Sequence, residues 1–145
     1  MELGKRKQKN DNTEITRADK LQLVRLNERI YQWSSPVHET FKTINLLFYS
    51  LRSALERDQP DYYYLIVDLT ETLPPKKEVL KHIQTSFINL VQRPERLIFV
   101  TGSNTVINMA AKFAVNSIFE DPAHFCTNLK DAVADVKKFE ALNFN

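Results

Sequence analysis

The chain has 145 residues, of which 43% are hydrophobic and 26% charged, and it contains two glycines, one cysteine and three histidines. This length predicts a single domain that buries a sizeable core without disulfides. One cysteine and three scattered histidines exclude a zinc site built from several thiolates, and two glycines are too few for a multi-glycine phosphate-binding loop. We therefore expect a non-enzymatic protein that uses no metal and no cofactor.

The formal net charge of +2 is unevenly distributed along the chain. Four lysines and arginines fall in the first nine residues beside one glutamate, so the rest of the chain is close to neutral. A neutral domain gives no electrostatic support for binding nucleic acid. No stretch approaches the roughly 20 apolar residues that span a bilayer, which predicts no membrane insertion and a cytoplasmic protein. Residues 1–18 are polar and are expected to form a flexible tail, and residues 19–145 the domain.

The first elements of the domain are a strand region and a long helix. Apolar residues flank a polar turn between Lys20 and Trp33, which predicts two short strands or one bent strand. Ser35 and Pro36 are typical of a helix start, because serine caps free N–H groups and proline fits the first turn. The helix that they begin ends before Pro60. Its apolar residues recur at spacings of three and four and are expected to face the core: Val37, Phe41, Ile44, Phe48, Leu51 and Leu55.

Two apolar strands with a helix between them come next. The aromatic and branched side chains of residues 62–69 run without alternation, which is typical of a strand covered on both faces. A second strand of this kind is predicted at 96–100. Between them, a turn at 72–75 leads into a helix that ends before Pro94. The apolar residues of this helix recur at helical spacing: Val79, Leu80, Ile83, Phe87, Leu90 and Val91.

The last third of the chain repeats the helix–strand–helix order. A turn at 101–104 leads into a third helix, whose inward face is predicted to carry Val106, Met109, Ala110, Phe113 and Ala114. A short strand is predicted at 124–127. Thr127 or Asn128 then caps a final helix with five residues facing inward: Leu129, Ala132, Val133, Val136 and Phe139. The order β(β)αβαβαβα predicts a single-domain α/β fold with a mainly parallel sheet of four to five strands and about four helices.

The turns after the two apolar strands are candidate sites, because ligands of open parallel sheets collect beyond the carboxyl ends of the strands. A ligand or anion is expected at the residues that end these strands or follow them: Asp68, Thr101, Gly102, Ser103 and Asn104. Asp68 either accepts a phosphoryl group, as the aspartate of a receiver domain does, or accepts N–H groups of its own turn. The hydroxyl-rich turn either presents N–H groups to an anion or caps its helix.

Thr72 is a candidate phosphorylation site. It precedes the two prolines that mark the next helix, where an added phosphate would meet the positive end of the helix dipole. A plain cap or turn residue is the alternative interpretation of the same position.

Four segments of the chain resemble the STAS domains, which are named for sulfate transporters and anti-sigma factor antagonists, and the bacterial STAS/Sec14-like proteins. Residues 23–30 resemble the early strand of the family and its polar turn. Residues 65–70, Leu-Ile-Val-Asp-Leu-Thr, resemble the central strand, which ends in Asp-Leu-Ser in the family. Residues 97–102 are similar to the next strand, and residues 118–132 to the short last strand and the start of the closing helix.

The resemblance covers Leu23 to about Val136 and implies a STAS-like fold. It also implies a regulatory module that docks on a partner protein, often a regulatory kinase, near the helix after the central strand. In antagonist members a Ser or Thr at the start of that helix, in an Asp-Ser-Ser-Gly context, is phosphorylated. This chain lacks that motif, and Thr72 is the only equivalent hydroxyl.

The resulting expectation is a non-enzymatic STAS-like module that acts by protein–protein interaction in bacterial signalling of the anti-sigma antagonist type. Its partner is expected to be another protein, such as a regulatory kinase, or a second copy in a homodimer. The predicted contact residues are Thr70, Glu71, Thr72, Lys76, Lys77 and Lys81. The alternatives are a small-ligand or lipid-binding domain with a pocket beyond Thr101 and Gly102, and a phosphoacceptor domain modified at Asp68 or Thr72.

Overall fold

The computed structural model describes residues 21–115 and 124–144. The predicted tail, residues 1–18, and part of the segment 118–132 lie outside the described residues. The strands are β1 (Leu23–Arg25), β2 (Ile30–Ser34), β3 (Tyr64–Asp68), β4 (Arg96–Val100) and β5 (His124–Cys126). The helices are α1 (Phe41–Asp58), α2 (Lys77–Ile88), α3 (Thr105–Val115) and α4 (Leu129–Asn143).

The five strands form one sheet in the order β1-β2-β3-β4-β5. Strand β1 pairs with β2 antiparallel, and the other three pairings are parallel. This confirms the predicted α/β fold with a mainly parallel sheet, and it resolves the first strand region into two short strands. A hairpin joins these two strands because the Asn27 side chain accepts N–H bonds from Arg29, at 2.8 Å, and from Ile30, at 2.9 Å.

The helices divide between the two faces of the sheet as its connections require. Each crossover from β2 to β5 moves one strand in the same direction, and right-handed crossovers then deliver their helices to one face. The residues of α1, α2 and α3 that pack on this face are Ile44, Leu47, Phe48, Leu51, Ala54, Val79, Phe87, Ile107 and Ala111. Helix α4 follows the last strand and covers the opposite face, where Ala132 and Val136 are fully buried.

Strands β3 and β4 are covered on both faces, as their unbroken apolar runs predict. Leu65 and Val67 belong to the core beneath α1, α2 and α3, whereas Tyr64 and Ile66 belong to the core beneath α4. The alternation of side chains along a strand places neighbouring residues in different cores. The only residue of β3 that is not buried is Asp68, at its carboxyl end.

Helix α1 begins later than the sequence indicates. Thr40, and not Ser35, is the cap: its hydroxyl accepts the N–H of Thr43 at 3.2 Å, and the Thr43 hydroxyl accepts the N–H of Thr40 at 2.8 Å. This reciprocal pair satisfies two free donors at once, which a lone serine followed by proline does not. The helix ends at Asp58, and Gln59 then adopts a left-handed conformation with φ 46°.

Helix α3 presents a different face to the core from the one predicted. Ile107 is 2% exposed, whereas Val106 is 60% exposed and Met109 also faces outward. Residues 106–111 are nearly all apolar, so their spacing does not indicate which side of the helix faces the core. The start of the helix is fixed by a cap in which Asn104 Oδ1 accepts the N–H of Ile107 at 3.0 Å. The side chains of residues 113 and 114, also predicted to face inward, lie outside the described part of the helix.

Helix α2 is shorter than predicted at its carboxyl end. It stops at Ile88, and Leu90 contacts the core from the following loop. Val91, which was predicted to continue the buried stripe, is 97% exposed. The chain turns at Asn89 toward the start of β4, which carries Val91 away from the sheet.

The phase of α3 can be tested with two neighbouring truncations. We expect Ile107→Ala to lower the free energy of unfolding by about 2–5 kcal/mol, because it leaves a cavity between α3 and the sheet. Val106→Ala should change it by no more than about 0.5 kcal/mol, because that side chain faces solvent. Equilibrium denaturation with urea measures both values, and the opposite ranking would show that α3 presents its other face to the core.

Candidate functional site

The turns after β2, β3 and β4 lie side by side at the carboxyl edge of the sheet. Backbone hydrogen bonds continue the parallel pairing past the strands: Ser35 N–H donates to Asp68 O at 2.9 Å, and Leu69 N–H donates to Val100 O at 2.7 Å. Thr101 N–H likewise donates to Cys126 O at 3.0 Å. The structure therefore brings the predicted residues of the β3 and β4 turns to the same edge.

The Asp68 carboxylate accepts hydrogen bonds from its own turn. Its Oδ1 accepts the backbone N–H of Thr70 at 3.0 Å and the Thr70 hydroxyl at 2.7 Å. This confirms the interpretation of Asp68 as a turn residue that accepts local donors. Phosphate acceptance by Asp68 stays a prediction. Among residues 21–115 and 124–144, no group of three or more His, Cys, Asp or Glu side chains is placed to hold a metal ion.

The turn after β4 uses its polar groups to begin α3. Gly102 has φ 63°, a left-handed conformation that glycine adopts without a steric penalty. The Asn104 side chain caps the helix, as one of the two interpretations of this turn expected, and Thr101 is buried. A Cβ atom on Gly102 would lie 4.0 Å from the Thr70 methyl group, so the two turns are adjacent. Ser103 is exposed, and anion binding here stays a prediction.

Thr72 is 2% exposed, and its hydroxyl has no hydrogen-bond partner. Its N–H donates to Leu69 O at 3.0 Å, and this turn places the Thr72 side chain in the protein interior. Of the two alternatives to phosphorylation, a cap and a turn residue, the structure confirms the turn residue, since α2 begins at Lys77 and its cap position is Lys76. A kinase or a partner has no access to this hydroxyl in the folded protein, so Thr72 is left out of the function proposed below.

The other predicted contact residues are exposed. Thr70 and Glu71 lie in the turn after β3, and the three lysines lie at and after the start of α2: Lys76, Lys77 and Lys81. Lys77 and Lys81 are four residues apart and therefore share one face of the helix. The sequence interpretation missed Leu73, which is 48% exposed in the same turn. Its position before two prolines could have indicated this exposure, because prolines stiffen a turn and a stiff turn can hold an apolar side chain in solvent.

A cavity of about 60 Å³ lies between the sheet and the three helices on one face. The residues around it are mostly apolar and include Phe48, Leu80 and Phe99. The cavity lies inside the core and not beyond Thr101 and Gly102, where a ligand pocket was predicted.

Three polar side chains border this cavity: Ser35, Glu39 and Thr72. Burial raises the pKa of the Glu39 carboxyl, and the Thr43 hydroxyl, which donates to Glu39 Oε1 at 2.5 Å, opposes part of that rise. The Ser35 hydroxyl faces the same carboxyl and also opposes the rise, although it makes no hydrogen bond of good geometry. No sequence motif marked Glu39, because its burial results from the approach of the β3–α2 turn in three dimensions.

Comparison with models of known protein families finds no match for this sequence, and comparison with curated proteins finds no relative. No helix in the described part of the chain is both long and apolar enough to cross a membrane. The function is therefore argued from the arrangement of side chains at the carboxyl edge.

The raised pKa of Glu39 predicts that the stability difference between the wild type and a Glu39→Gln variant depends on pH. Because its folded-state pKa lies above the ordinary value, ionisation destabilises the folded protein as the pH rises through that raised pKa. We expect Glu39→Gln, which keeps an acceptor for Thr43, to raise the urea midpoint at neutral pH. This difference in urea midpoint should vanish near pH 4 and below, which is about the ordinary pKa of glutamate, because the carboxyl of the wild type and the amide of the variant are then both neutral.

The matched control is the exposed carboxylate variant Glu95→Gln, which should leave the urea midpoint unchanged across the same pH range. A destabilised Glu39→Gln variant at neutral pH, or a gain that persists undiminished in acid, would contradict the assignment of a raised pKa to Glu39.

Proposed function

We propose that this chain is a non-enzymatic, STAS-like binding module that docks an acidic region of another protein at the carboxyl edge of its sheet. The contact surface, called the docking edge here, consists of Thr70, Glu71, Leu73, Lys76, Lys77 and Lys81. The observation that carries the proposal is the exposure of Leu73 in a rigid turn next to three exposed lysines.

Leu73 has the properties of a binding anchor. Its N–H donates to Val37 O at 2.8 Å, which ties the β3–α2 turn to the loop before α1. Thr72 is buried on one side, and Pro74 restricts the backbone on the other. A side chain held in this way loses little conformational freedom when a partner covers it, so more of the gain from burying it contributes to affinity.

The lysines define the chemistry of the partner. Lys76, Lys77 and Lys81 are all exposed, and the acidic residues of the same turn and helix start are Glu71, Glu78 and the half-buried Asp68, whose carboxylate is engaged by Thr70. Exposed positive charge on α2 beside an apolar anchor favours an acidic surface and speeds its association by long-range attraction. An apolar centre with a charged rim is the usual composition of a protein–protein interface.

The STAS resemblance supports the same surface independently of its exposure. In that family the partner binds near the helix that follows the central strand, and in this chain α2 follows β3. By this analogy the partner is a regulatory protein such as a kinase, and the setting is bacterial signalling in the cytoplasm. The absence of an accessible hydroxyl at Thr72 favours constant binding over the phosphorylation switch of antagonist members.

The proposal can be tested by photo-crosslinking in the cells from which the gene comes. We expect a photoreactive phenylalanine analogue at position 73 to form one dominant crosslink to another protein. The same residue at position 142, an exposed leucine site on α4, should not form it. Equal crosslinking from both positions would show that the docking edge is not a specific surface.

Charge reversal on α2 tests the role of the lysines. We expect Lys77→Glu with Lys81→Glu to weaken binding of the captured partner by about tenfold or more and to reduce its salt dependence. The reason is that two attractive contacts at the rim become repulsive. Titration calorimetry with purified proteins measures this, with Lys130→Glu and Lys137→Glu on α4 as the charge-matched control. Unchanged affinity in the α2 variant would contradict an acidic partner at this edge.

A further inference from the structure

Helix α1 carries a second surface that the docking edge does not use. Five exposed residues on its outer side recur at spacings of four, three, four and three: Lys42, Leu46, Tyr49, Ser53 and Glu56. This is the spacing with which one helix packs along another, and we call these residues the α1 stripe. Tyr49, at its centre, is 62% exposed. The opposite side of the helix holds the buried core residues, so the stripe faces away from the sheet.

The charges of the α1 stripe are arranged symmetrically about Tyr49. Lys42 lies seven residues before it and Glu56 seven residues after it. At a rise of about 1.5 Å per residue, each charge is about 10 Å from the centre along the helix axis. If two copies of α1 pack antiparallel about a two-fold axis at Tyr49, each Lys42 faces the partner's Glu56. Leu46 then lies level with the partner's Arg52, and the nearest stripe residue of the partner is Ser53, one residue further along, whose small side chain leaves room for it.

We propose that the protein forms a two-fold symmetric homodimer through the α1 stripe, with Tyr49 at the axis. A parallel arrangement in the same register would place Lys42 against the partner's Lys42 and is disfavoured by repulsion. The antiparallel arrangement creates two opposite-charge contacts for each dimer, because an interface of this symmetry uses every contact twice. The charges of the α1 stripe therefore favour a second copy as the partner and an antiparallel orientation of the two helices.

The charged ends of the stripe are available for this contact. Neither Lys42 nor Glu56 makes an ion pair or a hydrogen bond with another side chain in residues 21–115 and 124–144. Both are exposed, so forming the intermolecular pairs breaks no contact within the monomer. Pairs at the rim of an interface contribute mainly to specificity and orientation, which is the role that the symmetry requires of them.

A groove beside the stripe provides apolar area for the same dimer. It has a volume of about 770 Å³ and runs between α1 and the loop that follows α2. Tyr49 and Arg52 line one wall, and Leu90 and Val91 line the other. Val91 is 97% exposed, so its side chain is available to a second copy. The groove is wide enough to receive side chains of the second copy along the edge of the helix pair.

Charge exchange tests this dimer directly. We expect the wild-type protein to show a concentration-dependent increase toward the dimer mass in sedimentation velocity at low salt. Lys42→Glu and Glu56→Lys should each raise the dimer dissociation constant by about tenfold or more, because each places like charges opposite one another. The double variant restores both opposite-charge pairs and should return to the wild-type dissociation constant.

Mixing the two single variants provides the sharpest result. One chain then carries glutamate at both ends of the stripe and the other carries lysine at both ends, so the heterodimer should form in preference to either homodimer. Native mass spectrometry separates the three species. The charge-matched control is Lys137→Glu on α4, which should dimerise as the wild type does.

A wild-type protein that stays monomeric up to several hundred micromolar would overturn the proposal. So would single variants that behave as Lys137→Glu does, or a mixture with no preference for the heterodimer. Because all the changed residues are exposed, circular dichroism should show the wild-type fold in each variant. The α2 variant Lys77→Glu with Lys81→Glu should dimerise normally, so this result is separable from failure of the docking edge.

Discussion

The rest of the structure depends on the burial of β3 and β4 on both faces. Their backbones pair in parallel over five residues, and side chains that alternate along them enter two separate cores. A strand with no polar face requires a helical layer on each side of the sheet. Three crossover helices supply one layer and α4 the other. Replacing one central side chain with a polar one would therefore leave an unpaired group in a core, whichever face it entered.

The buried strands β3 and β4 also determine the positions of the two surfaces to which we assign function. Backbone bonds that continue beyond the strands hold the β3 and β4 turns in place, and the β3–α2 turn then presents Leu73 on a rigid frame. Helix α1 is fixed at its two ends, by the Thr40 cap and by Asp58, whose carboxylate accepts the Tyr31 hydroxyl at 2.6 Å. Burial and this hydrogen bond raise the pKa of Tyr31 to about 12, so the link holds across the physiological range. Both surfaces thus lie on elements that the core immobilises.

The sequence predicts the parts of this fold that depend on strong local patterns. The unbroken apolar runs of β3 and β4 and the stripe of α4 depend on side chains within one element, and the structure confirms them. The stripe of α1 is confirmed from Ile44 to Leu55 and is wrong at its start, because the helix begins only at Phe41, which is 50% exposed, and Val37 precedes it. The phase of α3 and the start of α1 depended on caps, Asn104 and Thr40, that compete with other polar residues nearby. The burial of Thr72 and of Glu39 results from loops that meet only in three dimensions. At the candidate site the sequence indicated the turn on which our proposal rests but did not mark Leu73, which the structure shows exposed there.

Backbone hydrogen exchange followed by NMR tests the central claim most directly. If β3 and β4 are the two-sided core on which the fold depends, the amides of Leu65–Val67 and Leu97–Phe99 should exchange only through global unfolding. Their exchange free energies should then equal the free energy of unfolding from urea denaturation, and those of β1 should be lower. Central-strand amides that exchange by local opening, with free energies below those of α4, would contradict this account of the fold.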